Sequence, residues 1–240
     1  MTLHIFLCFP MSSSRRKIYI DSIPLVLTAV LVTITGIIYH QAVFRILPLY
    51  ISMVVSILQS KVNRYASLIG GINSILYACV DWHYGLYASS ACDLFVSCPF
   101  QIATFILWSR RSYKHSTMLR SMNGRQRVMA GIGCIVVWLV TFITLRYMNS
   151  NYQIIDSSLT LLSLLIFVLT LFAFVEYTWL MIPNCLSVIL LNIIVMADSP
   201  DRITYLVFSI YSFYCNVLGL IQARRIYAEQ QAKAAKQPMV

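Results

Sequence analysis

The chain has 240 residues, 59% of them hydrophobic and only 11% charged, with a mean hydropathy of +0.76. So few ionisable groups cannot clothe a soluble domain, and the length leaves no room for a second, soluble catalytic unit. The net charge of +10 is gathered in a few loops with no nucleic-acid module beside it, which argues against nucleic acid and for membrane orientation and contact with the lipid bilayer.

The chain opens MTLHIFLCFP, an apolar run with no basic residue before it, too short and wrongly flanked for a secretory signal. Met11 then opens a second, basic start, MSSSRRK, and residues 1–19 read as a cytoplasmic segment. Apolar stretches follow at about 20–40, 43–60, 65–83, 86–108, 128–147, 157–174, 177–197 and 203–223, each close to the roughly 20 residues that carry a helix across a hydrocarbon core. In lipid the backbone must satisfy its own hydrogen bonds, so the expected fold is an all-α polytopic membrane protein of eight spans. The transmembrane domain covers 20–225, and 226–240 reads as a cytoplasmic tail. Only Glu176 and a tight turn part the sixth span from the seventh, and Glu176 is expected to be solvated there.

Charge placement supports the count. With eight spans, all 18 basic residues except Arg45, Arg146 and Arg202 fall on the side shared by both termini, a positive-inside bias that puts both ends in the cytoplasm of a cell with this chain in its plasma membrane. Asp81, Asp156, Asp198 and Asp201 fall opposite. Tyr39, Trp82, Tyr84, Tyr147, Tyr152 and Tyr205 sit where interfacial belts form. The seven cysteines show no CxxC pair and no Cys/His cluster, which reads as inert thiols in apolar spans.

Spans two to four (43–108) and six to eight (157–223) can be laid over each other. Tyr65 precedes Asn73 and Ser74 in one triplet, and Tyr177 precedes Asn184 and Ser187 in the other. The triplets end Trp108-Ser-Arg110-Arg111 and Gln222-Ala-Arg224-Arg225 on the same side, so they run parallel, with 128–147 as the linker helix that returns the chain. Parallel repeats about an axis along the membrane normal hold substrate between the halves.

The segment Gln59-Ser-Lys-Val-Asn-Arg-Tyr65, then GGINSILYA, HYGLYAS, Asp93, Pro99-Phe-Gln101 and Ile-Leu-Trp108, resembles the nicotinamide riboside transporter (PnuC) family, and TYLVFSIYSFYCNVLGL resembles its closing helix. The resemblance covers about residues 43–225. It implies a SWEET-like fold of three helices, a linker helix and three more, here with an extra N-terminal helix. It also implies facilitated diffusion of a small vitamin or vitamin precursor, drawn inward by a cytoplasmic salvage kinase, and a homotrimer. No cofactor is implied. The W-x-x-W-x-x-x-N/D pattern of the seventh helix becomes Tyr177-x-x-Leu180-x-x-x-Asn184, with Trp179 adjacent, and N-x-x-G-x-x-W becomes Asn216-x-x-Gly219-x-x-Gln222. These departures leave thiamine and riboflavin open beside nicotinamide riboside.

A neutral, ring-bearing solute needs aromatic faces for stacking and amides for hydrogen bonds in an apolar cavity. Asn73, Gln101, Asn184 and Asn216 supply amides within spans, where an unpaired amide is costly and helix–helix bonding competes for it. Trp108, Tyr177, Trp179 and Tyr211 are the stacking candidates, against belt or packing roles. Asp93 is the carboxylate inside a span, where a charge costs ~2.5–3.5 kcal/mol on insertion scales. It would face a cationic ligand, carry a proton, or lie shallow. Pro48, Pro99 and Pro183 fall inside spans as hinges or static kinks. An embedded enzyme would need paired carboxylates or a His cluster, and an ATP-driven pump a phosphate-binding loop; neither motif occurs. A non-transporting scaffold or sensor subunit would bind no ligand saturably.

Overall fold

A computed structural model describes residues 14–83, 93–147, 153–197 and 199–236. The G-L-Y turn at 85–87, the first residues of the fourth predicted span, and the belt candidates Tyr84 and Tyr152 lie outside them. Among the described residues eight α-helices follow one another. They are α1 Ser14–Ile38, α2 Val43–Ser60, α3 Tyr65–His83, α4 Cys98–Arg110, α5 Gly124–Tyr147, α6 Gln153–Leu171, α7 Tyr177–Met196 and α8 Ile203–Lys236. A single π-helical turn, Asp93–Ser97, leads into α4, and a short hairpin (β1 Ser112–Tyr113, β2 Ser116–Thr117) follows it. Among the described residues Val43–Ser60, Tyr177–Met196 and Pro200–Ala235 are long and apolar enough to cross a membrane, and Ile23–Ile38, Tyr65–Cys79 and Leu161–Leu171 are shorter apolar helices.

Two helices outrun their apolar stretches. α1 starts at Ser14 instead of near 20, and α8 continues unbroken to Lys236 where sequence predicts a tail. The last turns of α8 are rich in Ala, Gln, Glu, Lys and Arg, strong helix formers, and they bury Ile226 and Gln230 against the rest of the protein.

Three helices stop by the same device. At the end of α2, Val62 N–H bonds Gln59 O at 2.8 Å and Asn63 N–H bonds Leu58 O at 3.0 Å. This pair of bonds is a Schellman cap. The same pairing closes α1 around His40 and α6 around Ala173. Each cap needs a left-handed residue, and His40 (φ 47°), Val62 (φ 51°) and Ala173 (φ 59°) supply it. Glycine normally fills that place, and a β-carbon there costs roughly 1–2 kcal/mol. The break between α6 and α7 is therefore sharp although no glycine announces it.

Helices α2, α3 and α4 pack in chain order, as do α6, α7 and α8, and the two triplets meet along α2–α8 and α4–α6. α5 lies on α6, and α1 lies on α8 and α2. Apolar side chains of α5 such as Val128, Ile132 and Ile135 face outward, as a lipid solvent permits; association in lipid rests on close packing and interhelical hydrogen bonds. Two buried clusters result. Val32, Leu49, Met53, Tyr211 and Cys215 fill the α1–α2–α8 seam. The other, near the basic loops, joins Val62, Trp108, Leu119, Tyr177 and Ala223. At the far end Arg45 pairs with Asp201 at 2.8 Å and Gln41 donates to the Asp201 carbonyl at 2.7 Å, tying the α1–α2 junction to the start of α8.

Candidate functional site

Helical periodicity decides which side chains can meet between the triplets. On α6, Ser163, Ile166, Phe167 and Thr170 form one stripe; on α7, Met181, Asn184, Cys185 and Val188 form another. On α8 the stripe is Phe208, Ser209, Ser212 and Asn216. These stripes converge on a cavity of about 280 Å³, which the first triplet closes with Gln59, Ser67, Gln101 and Thr104. Twelve of these sixteen residues come from the second triplet. None of the described lining residues is an acid or a base.

Local sequence sets the amides in place. Gly70 and Gly71 let α3 approach α4: a β-carbon at Gly70 would fall on the Gln101 carboxamide, and one at Gly71 would press Ile102 at 3.2 Å. Gln101 Nε2 then donates to Ser74 Oγ at 3.0 Å. Across the cavity Asn216 Nδ2 donates to Cys185 Sγ at 2.9 Å. The Asn184 Oδ1 is buried and, among the described residues, receives no donor. A buried carbonyl of this kind costs free energy until a partner arrives. Thr104 and Thr170 donate to their own helices, to Phe100 O at 2.8 Å and Ile166 O at 2.6 Å. Their oxygens keep lone pairs for acceptance. The wall is therefore rich in neutral acceptors, with Phe167 and Phe208 as its aromatic faces.

Of the sequence-predicted residues, Gln101, Asn184 and Asn216 line this cavity together. The others stand elsewhere. Asn73 is buried in the α2–α3 seam, donating to Pro48 O at 3.2 Å and Ser52 Oγ at 2.8 Å. Asp93 begins the π-helical turn before α4 and is partly exposed. Trp108, 3% exposed, donates Nε1–H to Thr170 O at 2.7 Å and packs its ring 6.2 Å from that of Tyr177, beyond the cavity wall. Trp179 is 50% exposed under the Arg224 guanidinium at 4.1 Å. Tyr211 faces α2, its hydroxyl 3.4 Å from Met53 O.

Sequence reasoning passes over Phe167, Phe208, Cys185 and the serines and threonines of the wall. Their one signal is that small polar residues recur at helical spacing in α6 and α8. Glu176 is also corrected. It is not solvated: Oε1 accepts from Ser121 Oγ at 3.0 Å, Met122 N–H at 2.9 Å and Arg127 Nη2 at 3.3 Å, with the side chain 20% exposed. The turn it occupies is docked against residues 120–127, where Arg120 N–H donates to Ala173 O at 2.9 Å and Val175 N–H donates to Arg120 O at 2.8 Å.

This architecture is similar to the crystal structure of the vitamin B3 transporter PnuC, with a TM-score of 0.72 over 88% of this chain and 92% of that one. The two are 16% identical, so the likeness is one of fold. No curated protein sequence matches. The family model described as nicotinamide mononucleotide transporter matches residues 42–222, three quarters of the chain, from the start of α2 into α8. With its apolar helices the chain is a multi-pass membrane protein of transport function, and it belongs to the nicotinamide mononucleotide transporter family.

Proposed function

We propose that the chain carries an unphosphorylated, ring-bearing vitamin or vitamin precursor, nicotinamide riboside first, by facilitated diffusion through the cavity between its triplets. The single observation that carries this reading is the wall itself: amides, hydroxyls and two phenyl rings, with no acid or base among the described lining residues. A phosphate dianion would have to shed its water there with no cation to pair with, at a cost of several kcal/mol. A nucleoside fits better. Its hydroxyls and carboxamide can donate to Asn184 Oδ1 and Gln101, and a pyridinium ring gains from the faces of Phe167 and Phe208. Thiamine, with a cationic thiazolium ring, and riboflavin, with its ribityl hydroxyls, each share part of this chemistry and are the competing ligands.

The surrounding proposals follow the same line. The triplets α2–α4 and α6–α8 act as parallel repeats joined by the linker helix α5, giving eight spans with both termini in the cytoplasm of a plasma membrane. Salvage phosphorylation by a cytoplasmic kinase keeps the inward gradient, and the assembly is a homotrimer. The charge bias of the loops supports the orientation, and the lack of an ATP-binding motif together with the scarcity of charges inside the spans supports uncoupled movement.

The test is a thermal-shift and binding panel on purified protein with nicotinamide riboside, thiamine, riboflavin and their phosphates. Saturable binding of one unphosphorylated compound, with its phosphate at least tenfold weaker, is expected. Equal affinity for the phosphate, or saturable binding of none, overturns the reading. Reporter fusions at residue 118 and the C-terminus should both read cytoplasmic.

A further inference from the structure

On four helices, one or two turns from the cavity toward the basic loops lead into the same buried cluster. Thr104 of the wall is followed at i+4 by Trp108, and Met181 is preceded at i−4 by Tyr177. Thr170 is followed by Ala173, and Asn216 at i+7 by Ala223. The cluster therefore floors the cavity. It also spans the two triplets, because Trp108 of α4 bonds the Thr170 carbonyl of α6.

Beneath this floor lies a polar clamp. The hairpin and the segment after it (residues 112–122) cross under Trp108, and Leu119 contributes to the floor itself. That segment is held by the last turns of α8. Gln230, 7% exposed, accepts from Leu119 N–H at 3.0 Å and donates to Thr117 O at 2.9 Å. One buried carboxamide thus satisfies two backbone groups with both its ends. From the other side Glu176 holds Ser121 and Met122.

We infer that residues 224–236 of α8 are a latch, with Gln230 as its bolt, that holds the cavity shut at the basic-loop end and must release for solute to pass there. The latch sets how often that end opens, and hence the rate of passage, without touching the solute. This assignment rests on the cavity being the solute pathway. It makes the part of α8 beyond the cavity a gating element and Gln230 a positioning residue that acts through Leu119 and Thr117.

Cys185 provides the readout, because its thiol lies in the cavity wall. In a variant retaining only Cys185, with the other six cysteines replaced, labelling by a membrane-impermeant maleimide is timed in vesicles of both orientations. Protease access to a C-terminal tag identifies the α8-tail face. Gln230→Ala should raise the labelling rate at that face by roughly fivefold or more, the scale of two lost hydrogen bonds, and leave the opposite face unchanged. Gln230→Met keeps the length of the side chain and loses both bonds, so it should give a similar rise and remains informative if the alanine variant fails to fold. An unchanged rate in every variant that folds, or an equal rise at both faces, overturns the latch. Labelling needs no vitamin, so a failure of the binding panel with this pattern intact would sink the substrate reading alone.

Discussion

Gly70 lies so close to the carboxamide of Gln101 that a β-carbon at position 70 would occupy the space of the amide oxygen. The glycine is thus part of the cavity although it does not line it. Gly70→Ala should leave α3 helical, since alanine is the better helix former, and should displace Gln101 from its bond with Ser74. Ligand affinity should fall about as far as in Gln101→Leu, with only a small change in melting temperature. A normal affinity in Gly70→Ala would show that Gln101 does not act from its present position.

Two of the amides that line the cavity should matter for ligand and little for folding. Asn184→Leu removes the buried acceptor at nearly equal volume, and Gln101→Leu removes its counterpart on α4. Each should weaken binding by roughly three- to thirtyfold. Trp179→Phe should not change affinity, because Trp179 stands outside the cavity beneath Arg224. Calorimetric titration of the three variants decides between this cavity and one built around Trp179.

Asn73 should behave in the opposite way. Its bonds to Pro48 and Ser52 join α2 to α3, and two such bonds within a membrane are worth about 1 kcal/mol. Asn73→Leu should lower the melting temperature and leave the dissociation constant of whichever vitamin binds unchanged. A loss of affinity without loss of stability would return Asn73 to the site.

Glu176→Ala strands three donors at once, one of them the backbone N–H of Met122. A charged acceptor of this kind is worth about 2 kcal/mol or more, so the melting temperature should drop by roughly 4 °C or more. A melting temperature within 1 °C of the parent, taken as a rough error of such scans, would mean that the turn is held by its backbone bridge alone.

Lys114 and Glu229 pair at 3.0 Å on the exposed side of the α8 tail. Their mutual hydrogen bond, then their mutual charge, hold the Glu229 carboxyl below its ordinary 4.5 and the Lys114 ammonium above its ordinary 10.5. A lowered carboxyl stabilises the fold above its unfolded pKa, and this is lost as pH falls through the folded value. A raised ammonium does so below its unfolded pKa, and this is lost as pH rises through the folded value. The pair therefore contributes between pH 4.5 and 10.5. Glu229→Gln should lower the melting temperature slightly at neutral pH. The difference should vanish in acid well below that window and shrink in high salt; persistence in both would show a packing effect instead.

The element order is legible in the sequence because apolar length and charge placement are global signals, and among the described residues each expected stretch holds a helix, the fourth only from Asp93 onward. The helix ends are less so. Glycine is the usual mark of a Schellman cap, and here His40, Val62 and Ala173 take its place, a local strain that only the packed loops can hold. Polarity inside a span singles out Gln101, Asn184 and Asn216, and all three line one cavity. The same reasoning applied to Asn73 finds a seam instead, since composition cannot say whether an amide turns toward a helix or a void. Ring size misleads further. Trp108, Tyr177 and Tyr211 are large with a polar handle, which suits them to seams that offer a carbonyl, while Phe167 and Phe208 carry no feature that separates a cavity face from a lipid face.

Helix α8 is 34 residues long with no interior proline, a rod of roughly 50 Å at 1.5 Å per residue. It is pinned near its start by the Arg45–Asp201 pair, carries cavity residues along its middle, and ends in the Gln230 contacts. Between these, Gly219 rests on the backbone of α2, where even a β-carbon would sit 3.4 Å from Gln59 O and from Ser60 Cα. That contact and the Arg45–Asp201 pair hold the near arm of the rod in place, so release of the Gln230 contacts frees only the arm beyond Gly219.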